Sequence, residues 1–177
     1  MDSRLAKTAY LVGVILTAVA GTAVFWKSKP RDTSVEGYSF RLTLPGAWTR
    51  EAPSASGPLI YHSNKEQLTV SSLDFGKTLT DDEWRPIFEK LVEMHRRATM
   101  RKSSNAITLS DTTFANSGGA LVARYSGTEP ASKYSFYCLL LSSRTGMGIF
   151  LYEALDMTDK ESEIRARFIM NSIVLTK

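Results

Sequence analysis

The sequence predicts an α+β fold, in which a mostly antiparallel sheet packs against two helices, preceded by one N-terminal transmembrane helix. Three observations lead to this prediction. Strand-like segments succeed one another with short turns between them, two capping-box motifs each open an amphipathic helix, and residues 8–26 carry no charge. The chain of 177 residues is 43% hydrophobic and 23% charged, which excludes a disordered chain and one embedded entirely in a membrane.

The strands are predicted from alternation and from short apolar runs. Apolar and polar residues alternate from Tyr38 to Leu44, which is typical of a half-buried strand, and Pro45-Gly46 ends it. A turn at residues 64–66 joins the next two segments into a hairpin. Further strands are predicted at Leu59–His62, Leu68–Phe75, Ile107–Phe114, Ala120–Ser126, Tyr134–Leu141 and Met147–Leu155. Turns as short as residues 116–119, 127–132 and 143–146 favour antiparallel neighbours.

Two helices are predicted from their N-terminal signals. Thr80 and Glu83 form a capping box, and the apolar stripe after it comprises Trp84, Ile87, Phe88, Leu91, Val92, His95 and Ala98. Pro86 requires either a separate first turn or a place in the opening turn. Thr158 and Glu161 form a second capping box. The inward residues of this second helix are predicted to be Ile164, Phe168 and Ile169, and residues 171–175 to turn into a closing strand.

The N-terminal segment predicts a membrane anchor. Residues 1–7 form a short tail, residues 8–26 would make a helix of roughly 28 Å, residues 27–36 form a polar linker, and residues 37–177 form the domain. The membrane-interface residues are predicted to be Tyr10, Trp26, Lys27 and Lys29. A cleaved signal peptide is the alternative, although the apolar run continues past both small-residue cleavage sites.

Either an anchor or a signal peptide usually serves to export the domain on its C-terminal side. We therefore expect a single-pass protein of the bacterial inner membrane with its domain in the periplasm, although the basic residues on the two sides of the apolar run nearly balance.

The net charge of +4 belongs to the N-terminal segment. Residues 1–31 hold five of the 22 basic side chains and one of the 18 acidic ones, so the rest of the chain carries 17 of each sign. A neutral domain has no global field that would concentrate a polyanion, and nucleic acid is therefore not predicted as a partner. The partners expected are the lipid bilayer, through residues 8–26, and an unidentified protein.

Groups that could perform catalysis are scarce. The chain has two histidines and one cysteine, and it lacks the paired metal-ligand, phosphate-loop and nucleophile-elbow motifs. We predict no catalytic residue, no metal and no cofactor. His95 is interpreted as a packed core imidazole, His62 as a surface residue and Cys138 as a buried inert thiol. An enzyme that uses His95 or Glu153, a carboxylate within an apolar strand, is the less favoured alternative.

One basic cluster lies at the end of the apolar stripe of the first helix, next to His95. The candidate partner-binding residues are Arg96, Arg97, Arg101 and Lys102, which could meet an acidic partner or anionic headgroups. Cations at a helix C-terminus also complement the helix dipole, and this structural interpretation stays open.

Three segments carry a resemblance to a known family. The run GYSFRLTLPGAW at residues 37–48 resembles the opening strand and turn of the PsbP-like fold. The run IMNSIVL at residues 169–175 resembles its closing helix and strand, and FLYEA at residues 150–154 occupies the place of its late core strand. The family includes photosystem extrinsic proteins, bacterial DcrB-like proteins and the Ran-binding nuclear import factor.

The resemblance, which covers residues 36–176 by order of elements, implies a non-enzymatic, membrane-tethered adaptor. Some bacterial immunity proteins against type VI secretion toxins are similar in fold and in site of action, so an immunity protein that blocks a toxin in the periplasm is one expectation. An assembly or stability factor for a membrane complex is the alternative.

Overall fold

The computed structural model describes residues 31–34, 40–52, 57–102 and 107–175. The predicted transmembrane segment 8–26 lies outside these residues, as do Tyr10, Trp26, Lys27 and Lys29. Within the described ranges, no helix has the length and apolar character needed to cross a membrane. Residues 31–34, which fall in the predicted linker, form a strand that pairs with residues 41–44.

The described residues form two helices and eleven strands. Both helices were predicted, and the strands after residue 40 begin or end within a few residues of their predictions, except for β3, which was not predicted, and the segment 107–117. The elements are β1 (Arg31–Ser34), β2 (Phe40–Leu44), β3 (Thr49–Arg50), β4 (Leu59–Ser63), β5 (Glu66–Asp74), α1 (Asp81–Lys102), β6 (Thr108–Leu109), β7 (Thr113–Ser117), β8 (Ala120–Glu129), β9 (Tyr134–Ser142), β10 (Gly146–Leu155), α2 (Asp159–Asn171) and β11 (Val174–Leu175).

The strands form two antiparallel sheets. The larger sheet has eight strands in the order β3-β4-β5-β10-β9-β8-β6, with β7 also paired to β8, and the smaller one has the order β1-β2-β11. Short turns produce this meander. Gly118 and Gly119 make the two-residue turn from β7 to β8, and both have positive φ. A turn of this length that matches the twist of the strands needs positive φ at both positions. The antiparallel α+β architecture predicted from the sequence is confirmed.

Two hydrophobic cores lie on opposite faces of the eight-stranded sheet. Side chains of successive residues in β9 alternate between them, because neighbouring residues of a strand point to opposite faces. Phe136, Cys138 and Leu140 pack with Trp84 and Phe88 of α1. Leu139 and Leu141 join the other core, which contains α2 and the three-stranded sheet. The central strands are therefore covered on both faces.

The smaller sheet is attached to the larger one through aromatic side chains. Phe40 of β2 meets Phe150 of β10 edge to face, with 5.3 Å between ring centroids. The Phe40 ring lies directly over Gly148, where an added Cβ would come within 2.5 Å of Phe40 Cε2. Ser172, just after α2, adds a polar link, because its Oγ accepts a hydrogen bond from the Thr43 amide at 2.9 Å.

The two helices differ in how well their buried faces match the prediction. Trp84, Phe88 and Val92 of α1 are buried as expected, whereas Ala98 is exposed, and Pro86 lies within a helix that already begins at Asp81. In α2 the predicted inward residues Ile164 and Phe168 are 59% and 48% exposed. Ile169 is buried as predicted, and the rest of the face against the sheet is formed by Ser162, Ala166 and Met170.

The physical reason for this reversal is close packing of α2 on β9. The Ser135 hydroxyl of β9 donates a hydrogen bond of 2.9 Å to Ser162 Oγ, and both serines are buried. Small side chains at positions 162 and 166 allow the helix backbone to approach the sheet, which rotates Ile164 and Phe168 toward solvent.

The predicted strand Ile107–Phe114 is two shorter strands, β6 and β7, interrupted at residues 110–112. Ser110 keeps the chain attached to β8 at the interruption. Its amide donates to the Ser126 carbonyl, and its hydroxyl accepts from the Ser126 amide, each at 2.9 Å. The predicted hairpin turn is also shorter, because Glu66 is already the first residue of β5.

Candidate functional site

The basic cluster at the end of α1 is partly engaged in contacts within the chain. Arg97 Nε lies 2.7 Å from Glu93 Oε1, an ion pair across one helical turn. Arg96 Nη2 donates to the Ser110 carbonyl at 3.1 Å, which ties the helix to the interruption between β6 and β7. The side chains of Arg101 and Lys102 lie outside the described residues. A partner-binding role for these four residues stays a prediction.

His95 contacts two other polar side chains of the α1 core. Its Nδ1 lies 2.6 Å from Tyr125 Oη and 3.8 Å from Cys138 Sγ. Burial raises the pKa of the Cys138 thiol to about 12, and burial together with this thiol raises the pKa of Tyr125. The thiol therefore stays protonated at neutral pH and is a poor nucleophile. This placement agrees with a packed histidine and a buried, inert cysteine.

Two uncharged side chains hold the Glu153 carboxylate. Tyr134 Oη donates to Glu153 Oε1 at 2.6 Å, and Gln67 Nε2 donates to Oε2 at 3.2 Å. Burial and the neighbouring carboxylate raise the pKa of the Tyr134 hydroxyl, which keeps it a hydrogen-bond donor. His62 is partly exposed and pairs with Glu51 on the neighbouring strand region, as expected of a surface residue.

A buried ion pair between β5 and α2 was not predicted. Glu66 is only 8% exposed, and its two oxygens accept from Arg165 Nε and Nη2 at 2.5 and 2.7 Å. Tyr152 Oη donates to the same carboxylate at 2.8 Å. The sequence contains a signal for this site, because Glu66 lies in phase with the buried residues Leu68 and Val70.

Asp156 connects three turns at the same end of the sheet. Its backbone has a φ of +53°, and its amide donates to the Lys133 carbonyl at 3.0 Å. Lys65 Nζ donates to Asp156 Oδ2 at 2.5 Å, and Lys133 Nζ lies 3.4 Å from Oδ1. The pKa of this carboxyl is lowered, mainly by the hydrogen bond from Lys65 and by the charges of both lysines. One carboxylate thus fixes the turns β4–β5, β8–β9 and β10–α2.

Acid should weaken this junction. Because the pKa of Asp156 is lower in the folded than in the unfolded chain, the carboxylate contributes stability above its ordinary pKa of 3.8, and the contribution is lost as pH falls through the folded value. We expect the melting temperature of the native chain to fall more steeply below about pH 4 than that of Asp156→Asn, since asparagine tolerates the same positive φ. Calorimetry from pH 7 to pH 3 measures both profiles. Parallel profiles would show that Asp156 makes no such contribution.

The outer face of α2 presents the clearest binding surface. Ile164 and Phe168 lie one helical turn apart and are both strongly exposed. On one side of the helix, an open groove of about 450 Å³ runs between α2 and strands β8 and β9. Its lining includes the apolar surface of Tyr137, Leu139 and Met170. We refer to Ile164, Phe168 and this groove as the α2 surface.

The charges along the groove are few and mostly matched. Arg167 Nη2 lies 2.6 Å from Glu163 Oε1, which neutralises both. Arg124 is exposed and makes no ion pair with any described residue, and Asp111 lies in the same lining. The described residues contain no group of three or more metal-ligating side chains. An open groove with an apolar floor and isolated charges suits the side chains of a protein partner.

The comparisons with known proteins agree with this architecture. No family model matches the chain, and no curated protein matches it by sequence. Cyanobacterial PsbP (CyanoP) from Synechocystis is similar in structure, with a TM-score of 0.60 and 12% identity over 84% of this chain and 93% of that one.

Two further solved structures are similar at lower scores. A Bacteroides thetaiotaomicron protein has a TM-score of 0.49 and 9% identity, over 83% of this chain and 48% of its own. The Ran-binding protein Mog1p of Saccharomyces cerevisiae has a TM-score of 0.47 and 9% identity, over 85% and 97%. On the similarity to CyanoP, the described part of this chain has the PsbP-like fold that its terminal motifs predicted.

Proposed function

We propose that the chain is a non-enzymatic, membrane-anchored module that binds a protein partner through the α2 surface. The observation that carries this proposal is the exposure of Ile164 and Phe168 on a helix whose opposite face is fully packed. Large apolar side chains grouped on the surface are typical of sites that another protein covers. The adjoining groove offers space for the side chains of that partner.

The polar groups of the described domain support a binding role over a catalytic one. His95 and Cys138 contact each other within the α1 core, and the Glu66–Arg165 pair joins β5 to α2. Glu153 accepts hydrogen bonds from Tyr134 and Gln67. Each of these contacts ties together elements of the fold, and the Cys138 thiol beside His95, whose pKa burial raises to about 12, stays protonated and is a poor nucleophile.

The proposed place of action is the periplasmic face of the bacterial inner membrane. Residues 8–26 have the length and composition of a spanning helix, and Trp26, Lys27 and Lys29 suit the interface at its C-terminal end. A C-terminal alkaline phosphatase fusion tests this orientation, because the enzyme is active only after export. An inactive fusion at normal expression would overturn the periplasmic placement and leave the proposed binding surface untouched.

The α2 surface is tested by polar substitution. Because truncation or polar replacement of a central interface residue commonly costs a factor of ten or more, we expect Ile164→Asp and Phe168→Asp each to reduce partner capture from detergent-solubilised membranes by about tenfold or more. The matched control is Met94→Asp, which changes a similarly exposed apolar residue of α1 on the other side of the sheet. Equal loss in all three variants, or none, would contradict the assignment. Unchanged melting temperatures would exclude unfolding as the cause.

For the partner itself, we propose a toxin delivered by a type VI secretion system, which the module blocks as an immunity protein. The alternative is a membrane complex that the module helps to assemble. Deletion of the gene separates the two. An immunity protein predicts that deleted cells die only in contact with sister cells that carry an active secretion system. An assembly factor predicts loss of a membrane complex in pure culture, without any such contact.

A further inference from the structure

Strand β7 forms an exposed edge of the eight-stranded sheet. One side of β7 pairs with β8, and among the described residues no strand pairs with its other side. All five residues of the strand, Thr-Phe-Ala-Asn-Ser, are exposed. Natural proteins usually protect such an edge with lysine, proline, an inward charge or a bulge. Thr113–Ser117 contains neither a charge nor a proline.

The turn after β7 determines which backbone groups face outward. Ser117 and Ala120 flank the two-residue turn, so they form a hydrogen-bonded pair, and the pairs alternate along an antiparallel ladder. The amides and carbonyls of positions 113, 115 and 117 therefore point toward β8. Those of Phe114 and Asn116 point away from the sheet, where they are available to another strand.

The side chains beside the β7 edge are one aromatic ring and two opposite charges. Phe114, 48% exposed, rests edge to face on Phe88 of α1, with 6.3 Å between ring centroids. A small cleft of about 170 Å³ separates β7 from α1, and its lining includes Arg85 and Glu89. Arg85 Nη1 and Glu89 Oε1 lie 3.6 Å apart and form an exposed ion pair across one helical turn. Because this distance of 3.6 Å is too long for a hydrogen bond, each side chain keeps hydrogen-bonding capacity for a second, oppositely charged group.

We propose that two copies of this chain associate through their β7 edges to form a two-fold symmetric dimer. The strands run antiparallel with Ala115 on the axis, so that Phe114 of each copy exchanges both backbone hydrogen bonds with Asn116 of the other. The two eight-stranded sheets then become one continuous sheet. This self-association goes beyond the capture of a partner and uses a different surface.

Charge complementarity favours a second copy as the occupant of this edge. A two-fold axis through Ala115 places the two α1 helices side by side in opposite directions. Arg85 of one copy then faces Glu89 of the other, and the reverse contact forms by symmetry. An unrelated strand would satisfy the backbone of β7 but would meet one positive and one negative charge beside it. The chain's own surface supplies the matching pair.

A disulfide at the axis tests the proposal and its register. At the non-hydrogen-bonded pair on the axis, Cα atoms lie about 4.5 Å apart, which suits a disulfide. The full-length Ala115→Cys chain in mild detergent and glutathione buffer should form a covalent dimer. The control Thr113→Cys lies on the same strand, but its symmetry mate is about 14 Å away along the strands, so it should stay monomeric. Cys138 is buried and should not interfere.

Charge exchange tests the contact between the helices. In the Ala115→Cys background, Arg85→Glu or Glu89→Arg alone places like charges across the axis and should slow crosslinking about threefold. An equal mixture of the two variants forms heterodimers with opposite charges at both contacts and should recover the original rate. A variant that merely weakens its own helix would not recover on mixing.

Two results would overturn the proposal. One is equal crosslinking of Ala115→Cys and Thr113→Cys; the other is a single monomeric mass for the full-length chain by light scattering at every concentration tried. Either result would mean that β7 does not pair with a second copy of this chain, and that its exposed edge is open to a strand from another protein. The capture experiments on Ile164 and Phe168 are independent of both, so failure of the dimer is distinguishable from failure of the proposed function.

Discussion

Replacing Arg165 with methionine is expected to lower the free energy of unfolding by about 2–3 kcal/mol. The substitution keeps most of the apolar stem but leaves the buried Glu66 carboxylate without its cation. Removing one partner of a buried pair costs about 3–5 kcal/mol, and the smaller value applies here because the Arg165 side chain is 36% exposed. Urea denaturation, followed by far-ultraviolet circular dichroism, measures the change.

The control for this experiment lies two residues further along the same helix. Arg167→Met breaks the exposed pair with Glu163 and should cost only about 0.3–0.5 kcal/mol. A second control removes the buried charge as well. Because Glu66→Gln retains an acceptor for Tyr152 Oη, the double variant Glu66→Gln/Arg165→Met should be more stable than Arg165→Met alone. Equal costs at positions 165 and 167 would show that the buried pair contributes no more than a surface pair.

Replacing Gly148 with alanine is expected to cost about 1–3 kcal/mol. A Cβ at this position would lie 2.5 Å from Phe40 Cε2 and 3.0 Å from Phe150 Cε2, so the Phe40 ring must move. That movement breaks the edge-to-face contact by which the three-stranded sheet is attached. Thermal and urea unfolding report the loss, and near-ultraviolet circular dichroism reports the altered aromatic packing.

A double-mutant cycle identifies the cause. Phe40→Leu shortens the ring that occupies the space above Gly148 and should by itself cost about 1 kcal/mol. In the Phe40→Leu background, the added methyl group has room, so Gly148→Ala should cost clearly less than it does in the native chain. Strictly additive costs would contradict the steric explanation and point to a backbone effect of the glycine itself.

The elements that the sequence predicts best are those that carry their own local signals. Both helices begin at the predicted capping boxes, and α2 shows the complete reciprocal hydrogen bonds between Thr158 and Glu161. Strands β8, β9 and β10 are apolar and bounded by turn residues. These features depend on residues close together in sequence, which is why pattern reading finds them.

Features that depend on contacts across the fold were missed or misread. Strand β1 has the polar sequence Arg-Asp-Thr-Ser. It forms because the backbone of β2 pairs with it in antiparallel register. Ile164 and Phe168 were expected inside, because periodicity alone does not reveal that Ser162 and Ala166 are the residues small enough to approach β9. Likewise, a local reading placed Glu66 in a turn, although its partner Arg165 lies 99 residues later in the chain.

The candidate site likewise combines features with a local sequence signal and features that depend on tertiary contacts. The basic cluster after His95 is visible as a run of cations, but the hydrogen bond from Arg96 to the Ser110 carbonyl depends on the packing of α1 beside β6. The α2 surface and the β7 edge are recognised only once the buried face of each element is known. Exposure of an apolar residue is a tertiary property, so composition and spacing could not point to either surface.

The two cores on opposite faces of one sheet also bear on how the protein can diverge. Side chains that pack under α1 are distinct from those that pack under α2, although they alternate along the same strands. Substitutions at the outer positions of α2 therefore leave the α1 core intact. A lineage under pressure to match a changing partner could vary that helix rapidly while the other half of the molecule preserves the fold.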